Sequence, residues 1–518
     1  MELIKENIEF EKMLGENFND TIIHEEYIVP DTHPDISEIL MINSKMKNIH
    51  KEMMKDKVHV NGEIDFTILY TTMEDEEEVV CSLNYTKTFA SIIEMTGVNH
   101  EMISEAECSI EHMECIILNS RKVCVEGVVN VKVEVSKMNN LDIVKAIDMG
   151  SDVQCAEKHM HMDKIIGMVN GDITGETEIL IPVHMPEIYE VMDCSVTFKS
   201  KEIVLYDDMV KFSCRACIKI LYRAMNTHEL CVIENDVYLE KECELSGVSS
   251  MMAHLGKFTI KNISHMIKAN EEGEMKCIFV DMIIGIFCKV MDVVSMNLIE
   301  DAYSPTMMLE MAKESVEMDV IHKIVKEELV VKGKIEIDDD IPRPKEILFT
   351  SGDICITEKR IVEDKVLVEG VMKVSVLYKA HDKDHGYVFA VYEEIPFDHS
   401  MEVHGAKIHM HSILKASLDH IECDIEHDEI KIKGVIDMTC KVTYKSQKEF
   451  LMDVCEKEGE PPKKKGSFII YVVQSEDTLW KVAKKYNTTI DLICKINDIT
   501  EGDIKANTKL IIPGRAVI

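Results

Sequence analysis

A chain of 518 residues is too long for one hydrophobic core, and three to four domains are expected. Its 58 basic and 95 acidic residues give a formal net charge of −37, which repels phosphate backbones and anionic lipid and argues against nucleic-acid and direct membrane binding. With 46% hydrophobic and 30% charged residues, the composition is that of an ordinary folded soluble protein.

The chain opens MELIKENIEFEKMLGEN, without a basic segment followed by an apolar run, so no signal peptide is expected. Three stretches then align. VPDTHPDISEILMINSKM leads to DKVHVNGEIDFTILY, IPVHMPEIYEVMDCSVTF to DMVKFSCRACIKILY, and IPRPKEILFTSGDICI to DKVLVEGVMKVSVLY. Glu38, Glu190 and Glu346 each precede Tyr70, Tyr222 and Tyr378 by 32 residues. Upstream, KMLGEN, KIIGMV and KIVKEE place Lys12, Lys164 and Lys323 in matching positions. A register held three times predicts three tandem repeats, over 1–150, 151–305 and 306–455.

Each repeat is expected to be rich in β-strand. In the first, Val58, Val60, Gly62, Ile64, Phe66, Ile68 and Tyr70 share one face, and the third repeats this from Val366 to Tyr378. Strict alternation of this length is a long half-buried strand ending at the tyrosine. Gly62 and Gly370 on the inner face mark a bend, a bulge or a close approach, and Cys214 in the second copy predicts a milder bend. A second alternating strand closes each repeat, from Val123 to Val135 and from Ile430 to Val442. In the second repeat CIFVDMIIGIFCKVM is apolar on both faces, so its strand is expected to be buried on both sides. Asp281 and Lys289 interrupt that run, which is shorter than the roughly 20 apolar residues of a spanning helix. The segment after Ser304 is compatible with an extended or a helical start.

The 17 cysteines are scattered without a CxxC pair, and several sit inside strand patterns as small hydrophobes, which predicts a reduced, cytosolic chain. After the third repeat, EKEGEPPKKKGS reads as a solvated linker over 456–466. It isolates a terminal unit, 467–518. From Gly466 onward the net charge is +1, against −38 for the rest. In this unit Leu479, Val482, Ala483 and Tyr486 form one helical face, capped by Asp477 or Ser475. Ile490, Leu492, Ile493 and Ile496 predict a second short helix, and Tyr471–Val473 and Leu510–Ile512 predict two paired strands.

The terminal unit resembles a LysM domain, its YVVQSEDTLWKVAKKY and KLIIP standing where that family has YxV…GDTLWxIAxxY and KLxIP. The repeats resemble the SPOCS domain of spore coat proteins in the PxIxEIL stretch, the VxVxG strand and its terminal LY. The fold expected is therefore mainly β: three tandem β-rich SPOCS-like domains followed by a small β-α-α-β LysM-like domain. The combination implies a non-enzymatic spore coat morphogenetic scaffold at the forespore surface, in the mother-cell cytoplasm. Its implied partner is a stage IV sporulation protein A-type ATPase, with other coat proteins as further partners.

A LysM sugar groove would lie between loops 474–477 and 498–502, with Glu476, Asp477, Asp498 and Thr500 on its walls. Glu476 replaces the family's usual glycine, placing a side chain where close backbone approach to an N-acetyl group is needed. Trp480, the sole tryptophan, has two readings: cover for the small core, or an anchor for a protein partner helped by Lys481, Phe468 and Ile499. The alternative function is a cell-wall protein holding N-acetylglucosamine glycans of peptidoglycan, which requires export.

His159–Met160–His161 and His409–Met410–His411 would each put two imidazoles on one strand face, the geometry of a metal chelate, but no third ligand is fixed by spacing. A solvated strand face is the simpler reading. No nucleophile, phosphate-loop or metalloprotease motif is found. Hence no catalytic residue, metal or cofactor is expected.

Overall fold

The alternating patterns become antiparallel strands of unusual length. The computed structural model describes residues 2–74, 77–148, 153–337, 341–380, 388–427, 429–459, 468–500 and 504–513. Six strands arise from the first stretch: β1 (Glu2–Ile28), β2 (Glu38–Met54), β3 (Lys57–Glu74), β4 (Glu77–Glu94), β5 (Ile103–Asn119) and β6 (Lys122–Asp148). They form two three-stranded sheets, β1-β6-β5 and β2-β3-β4. The second stretch gives β7 (Gln154–Leu180), β8 (Ile188–Tyr206), β9 (Met209–Ala224), β10 (Leu230–Glu244), β11 (Ala253–Lys268) and β12 (Cys277–Tyr303) in the same arrangement. The third gives β13 (Met308–Glu336), β14 (Pro344–Val362), β15 (Lys365–Ala380), β16 (Val388–Glu402), β17 (His411–Glu426) and β18 (Glu429–Lys457). The segment after Ser304, open in sequence, is thus extended from Met308. Among the described residues no helix is long and apolar enough to cross a membrane.

Within each repeat the two sheets bury the predicted faces against each other. Val58, Val60, Ile64, Phe66, Ile68 and Tyr70 meet Val123, Val125, Val129, Val131, Val133 and Val135, all fully buried. The tyrosine explains the constant register. Tyr70, Tyr222 and Tyr378 donate their hydroxyls to the carbonyls of Pro34, Pro186 and Pro342, at 3.3, 3.2 and 3.0 Å. A buried phenol must find an acceptor, so the spacing from proline to tyrosine is fixed. The strands do not end there as expected; β3, β9 and β15 run on to Glu74, Ala224 and Ala380.

Pairing register also corrects one alignment. β1, β7 and β13 each skip one residue, Leu14, Ile166 and His322, at a shared bulge. Lys12 and Lys164 are equivalent, but their counterpart is Val320, while Lys323 matches Gly15 and Gly167 beyond the bulge.

Gly62 and Gly370 lie opposite Phe89 and Phe397. The phenyl rings lie across the glycines. A Cβ on Gly370 would stand 2.5 Å from Phe397 Cζ and 2.7 Å from the Cys355 carbonyl oxygen. The bulge itself is on the neighbouring strand, between Lys47 and His50 in β2 and between Ile356 and Glu358 in β14. β8 also bulges, between Lys199 and Glu202, although Cys214 replaces the glycine. Gly370→Val is expected to cost about 1–3 kcal/mol through overpacking. Urea unfolding of the full chain measures it, and an unchanged midpoint would show that Phe397 simply swings away.

The three repeats close into a ring with approximate threefold symmetry. At one end equivalent residues converge: Leu69, Leu221 and Leu377 with Val80, Leu230 and Val388 in one apolar cluster. At the other, the distal halves of the long strand pairs β1/β6, β7/β12 and β13/β18 stack in layers. Phe10, Met162 and Met318 form one layer, and Ile143, Leu298 and Phe450 another. Polar groups fix the order around the ring. Asp319 accepts from the Met13 amide at 2.7 Å, and Asp163 accepts from the Ile321 amide at 2.5 Å. Asn43 joins all three repeats, donating to Asp193 at 2.6 Å and accepting from Ser351 at 3.2 Å.

Between the two apolar ends lies a chamber of about 1950 Å³. The polar faces of β6, β12 and β18 line it with Glu134, Lys289 and Lys441 at equivalent places. This face of β12, expected to be buried, therefore lines the chamber. Its charges pair across repeats: Lys289 with Glu11 at 2.7 Å, Lys45 with Asp193 at 2.7 Å, Lys201 with Asp437 at 2.7 Å. Lys415 also pairs with Glu105. Burial alone would raise the Glu105 carboxyl, but Lys415 overrides it and holds it at about 2 against an ordinary 4.5. A depressed carboxylate stabilises the fold above its unfolded value and loses that contribution as pH falls toward its folded value. Glu105→Gln is therefore expected to destabilise at neutral pH and to flatten the loss of stability between about pH 5 and about pH 2.5. Urea midpoints across that range, for wild type and variant, would contradict this if the two curves ran parallel.

Candidate functional site

The terminal unit has the expected order: β19 (Phe468–Val472), α1 (Leu479–Lys485), α2 (Ile490–Asn497) and β20 (Lys509–Pro513). β19 and β20 pair antiparallel, and Leu479, Val482, Ala483, Ile493, Leu510 and Ile512 fill the core. Thr478, not Asp477 or Ser475, caps α1, accepting from the Lys481 amide at 3.2 Å. Asp477 instead holds the preceding loop. It accepts from the Tyr471 hydroxyl at 2.6 Å and the Gln474 amide at 2.8 Å, and these bonds lower its carboxyl below the usual range. Thr489 caps α2, and Asp498 ends it in the left-handed conformation at φ 51°. Asn497 ties α2 to β20, accepting from the Ile511 amide at 2.7 Å and donating to the Ile511 carbonyl at 2.8 Å.

The expectation of an isolated, tethered unit is not met: the unit sits on the second repeat, at the end of β12. Trp480 packs edge-on against Tyr303, with ring centroids 4.9 Å apart, and its indole N–H donates to Asp301 at 2.9 Å. Lys484 reaches the same carboxylate at 2.6 and 2.7 Å. Tyr303, 5% exposed, donates its hydroxyl to the Thr488 carbonyl at 2.8 Å. Trp480 is thus an interface residue, but of an interface inside the chain. Sequence reasoning missed Asp301, Tyr303 and Lys484, because the pattern of the terminal unit says nothing about a surface some 180 residues away.

The other expected contact residues separate. Phe468 is 63% exposed and Lys481 is exposed, its ammonium donating to the Glu476 carbonyl at 3.0 Å. Ile499 is half-buried at the rim of the core. Phe468, Ile470 and Val472 alternate along β19, and Ile470 pairs with Ile511, giving the small sheet an exposed apolar face. On the groove walls Glu476, Asp498 and Thr500 are exposed and Asp477 is half-buried; residues 501 and 502 of the second wall lie outside the described residues, as do 460–466 of the linker. The earlier part of that linker is strand, since β18 runs to Lys457.

Neither H-x-H pair converges on a chelate. His159 and His161 spend Nδ1 on Asn297 and Ser295, at 2.8 and 2.7 Å. His409 lies in a turn and His411 opens β17, so that pair does not share a strand face.

Family comparison now agrees with this architecture. The family model described as "SipL, SPOCS domain" matches residues 35–118, 187–268 and 344–426, and the LysM domain model matches residues 471–513. The chain is a SPOCS–LysM protein. Its domain set is that of a SPOCS plus LysM protein resembling SipL. No curated protein and no solved structure matches the SPOCS–LysM chain. The SPOCS matches cover β2–β5 and their equivalents. The long paired strands that build the ring's far end, β1 with β6 and their counterparts, lie outside them. SPOCS and LysM domains are binding domains without catalysis of their own, and they associate the SPOCS–LysM protein with sporulation, the spore coat and sporulation-associated protein partners.

Proposed function

We propose that the chain is a non-enzymatic scaffold of spore coat assembly, whose ring of SPOCS repeats presents the LysM domain to the stage IV sporulation ATPase on the forespore surface, in the mother-cell cytoplasm. The observation that carries this reading is the seam between Trp480 and Asp301. It holds the LysM domain in one orientation on the ring and turns Phe468, Ile470 and Ile511 to solvent. Exposed apolar groups on one sheet face suit the centre of a protein contact ringed by polar groups. Phe468 and Lys481 are its proposed contacts, with Ile499 at the rim and Trp480 setting the angle of approach. The groove residue Glu476 keeps a side chain where a glycan would need bare backbone.

The test is capture of the purified ATPase by the full chain, beside sedimentation with peptidoglycan. Capture by wild type that falls roughly thirtyfold in affinity in Phe468→Ala supports the proposal, as expected for loss of a central aromatic. Sedimentation with peptidoglycan and no capture of the ATPase would overturn it in favour of the cell-wall reading.

A further inference from the structure

We infer that the first repeat carries a zinc-class cation site formed by His24, Cys124 and Glu126. Cys124 and Glu126 are two residues apart on β6, so their side chains leave the same face. His24 lies directly opposite Glu126 on β1. His24 Nδ1 is 3.0 Å from Glu126 Oε1; Cys124 Sγ is 3.8 Å from that nitrogen and 3.7 Å from that oxygen. Tetrahedral zinc with bonds of about 2.0–2.3 Å separates its ligand atoms by about 3.3–3.7 Å. The triangle already drawn by these three atoms matches that spacing within a few tenths of an ångström. Three protein ligands leave a fourth corner, and the imidazole and carboxylate side chains, 63% and 41% exposed, open it to solvent.

The ligand chemistry selects the cation. Thiolate with imidazole and carboxylate favours zinc-like ions, whereas magnesium and calcium prefer oxygen alone. On binding, the Cys124 thiol proton leaves to solvent and the sulfur lone pair goes to the metal. Glu26 lies beside Cys124 on β1, and Glu114 of β5 is opposite Glu126, adding negative charge around the site.

The repeat fold does not require this cluster. The equivalent positions hold Glu176, Phe279 and Asp281 in the second repeat and Lys332, Lys431 and Lys433 in the third. The competing reading is a surface ion pair above a buried thiol, and it predicts no affinity for metal. Local spacing does not reveal the site, because His24 and Cys124 are 100 residues apart.

Untagged full chain, reduced and stripped with chelator, is titrated with Co²⁺. One equivalent is expected to produce the near-ultraviolet thiolate-to-cobalt absorption and the visible bands of four-coordinate cobalt, and Zn²⁺ is expected to abolish both. Cys124→Ser should remove the thiolate band. His24→Ala, at an exposed position that leaves the core intact, should weaken affinity roughly tenfold or more. Cys455→Ser, at the exposed cysteine, should change nothing. Absence of the thiolate band in wild type at equimolar metal, or its persistence in Cys124→Ser, would overturn the inference.

Discussion

Trp480→Ala is expected to free the LysM domain from the ring while the three repeats stay folded. The substitution removes an aromatic pair with Tyr303, a contact of about 0.5–1.5 kcal/mol beyond its buried area, and a hydrogen bond to the Asp301 carboxylate of about 1.5–3 kcal/mol. It also leaves Lys484 and the Tyr303 bond to the Thr488 carbonyl to hold the seam. A loss of about 2–4 kcal/mol would turn a seam closed nearly all the time into one that opens readily. Amide exchange at residues 299–303 and in α1 reads this directly, and faster trypsin cleavage between the ring and the LysM domain supports it. Phe468→Ala serves as control, since it should leave exchange unchanged while weakening capture of the ATPase. If amide exchange in Trp480→Ala matches wild type, the seam does not depend on the tryptophan. If exchange rises and capture stays intact, orientation on the ring does not matter to the partner.

Leu221→Asp is expected to be the most damaging single change in the ring. Leu221 is fully buried where the three repeats meet, among Leu69, Leu377, Met192 and Phe349. An aspartate there enters an apolar cluster directly opposite the buried Asp193, and its burial, with loss of the leucine packing, costs at least about 4 kcal/mol. Because each repeat keeps its own core between its two sheets, the effect should fall on their union. Calorimetry of the wild type should show the ring melting as a unit, and the variant should melt lower and in separable steps. Leu118→Asp, at a residue 47% exposed, should shift unfolding by no more than about 0.5 kcal/mol. Coincident melting curves for wild type and Leu221→Asp would mean that the repeats do not depend on this junction.

What the sequence determined by itself was whatever alternation and short-range spacing encode. Strict period 2 from Val58 to Tyr70 sets which side chains face inward, because a strand has only two faces, and those residues are fully buried. The 32-residue register was legible because a tyrosine hydroxyl bound to a proline carbonyl allows no slip. The two LysM helices were legible because their apolar positions recur at helical spacing. Tertiary structure alone decided where the polar faces go. Lys132 and Lys441 alternate as solvent-facing residues would, yet they line a chamber, because three copies of one sheet close on each other. Trp480 could be read as core cover or as an anchor, and its actual partner was out of reach, since Asp301 lies 179 residues earlier. His24, Cys124 and Glu126 meet only through the pairing of β1 with β6. Local patterns fix burial because each strand or helix has a face to hide; long-range polar contacts stay unwritten because any charge will accept any opposite charge that the fold brings within reach.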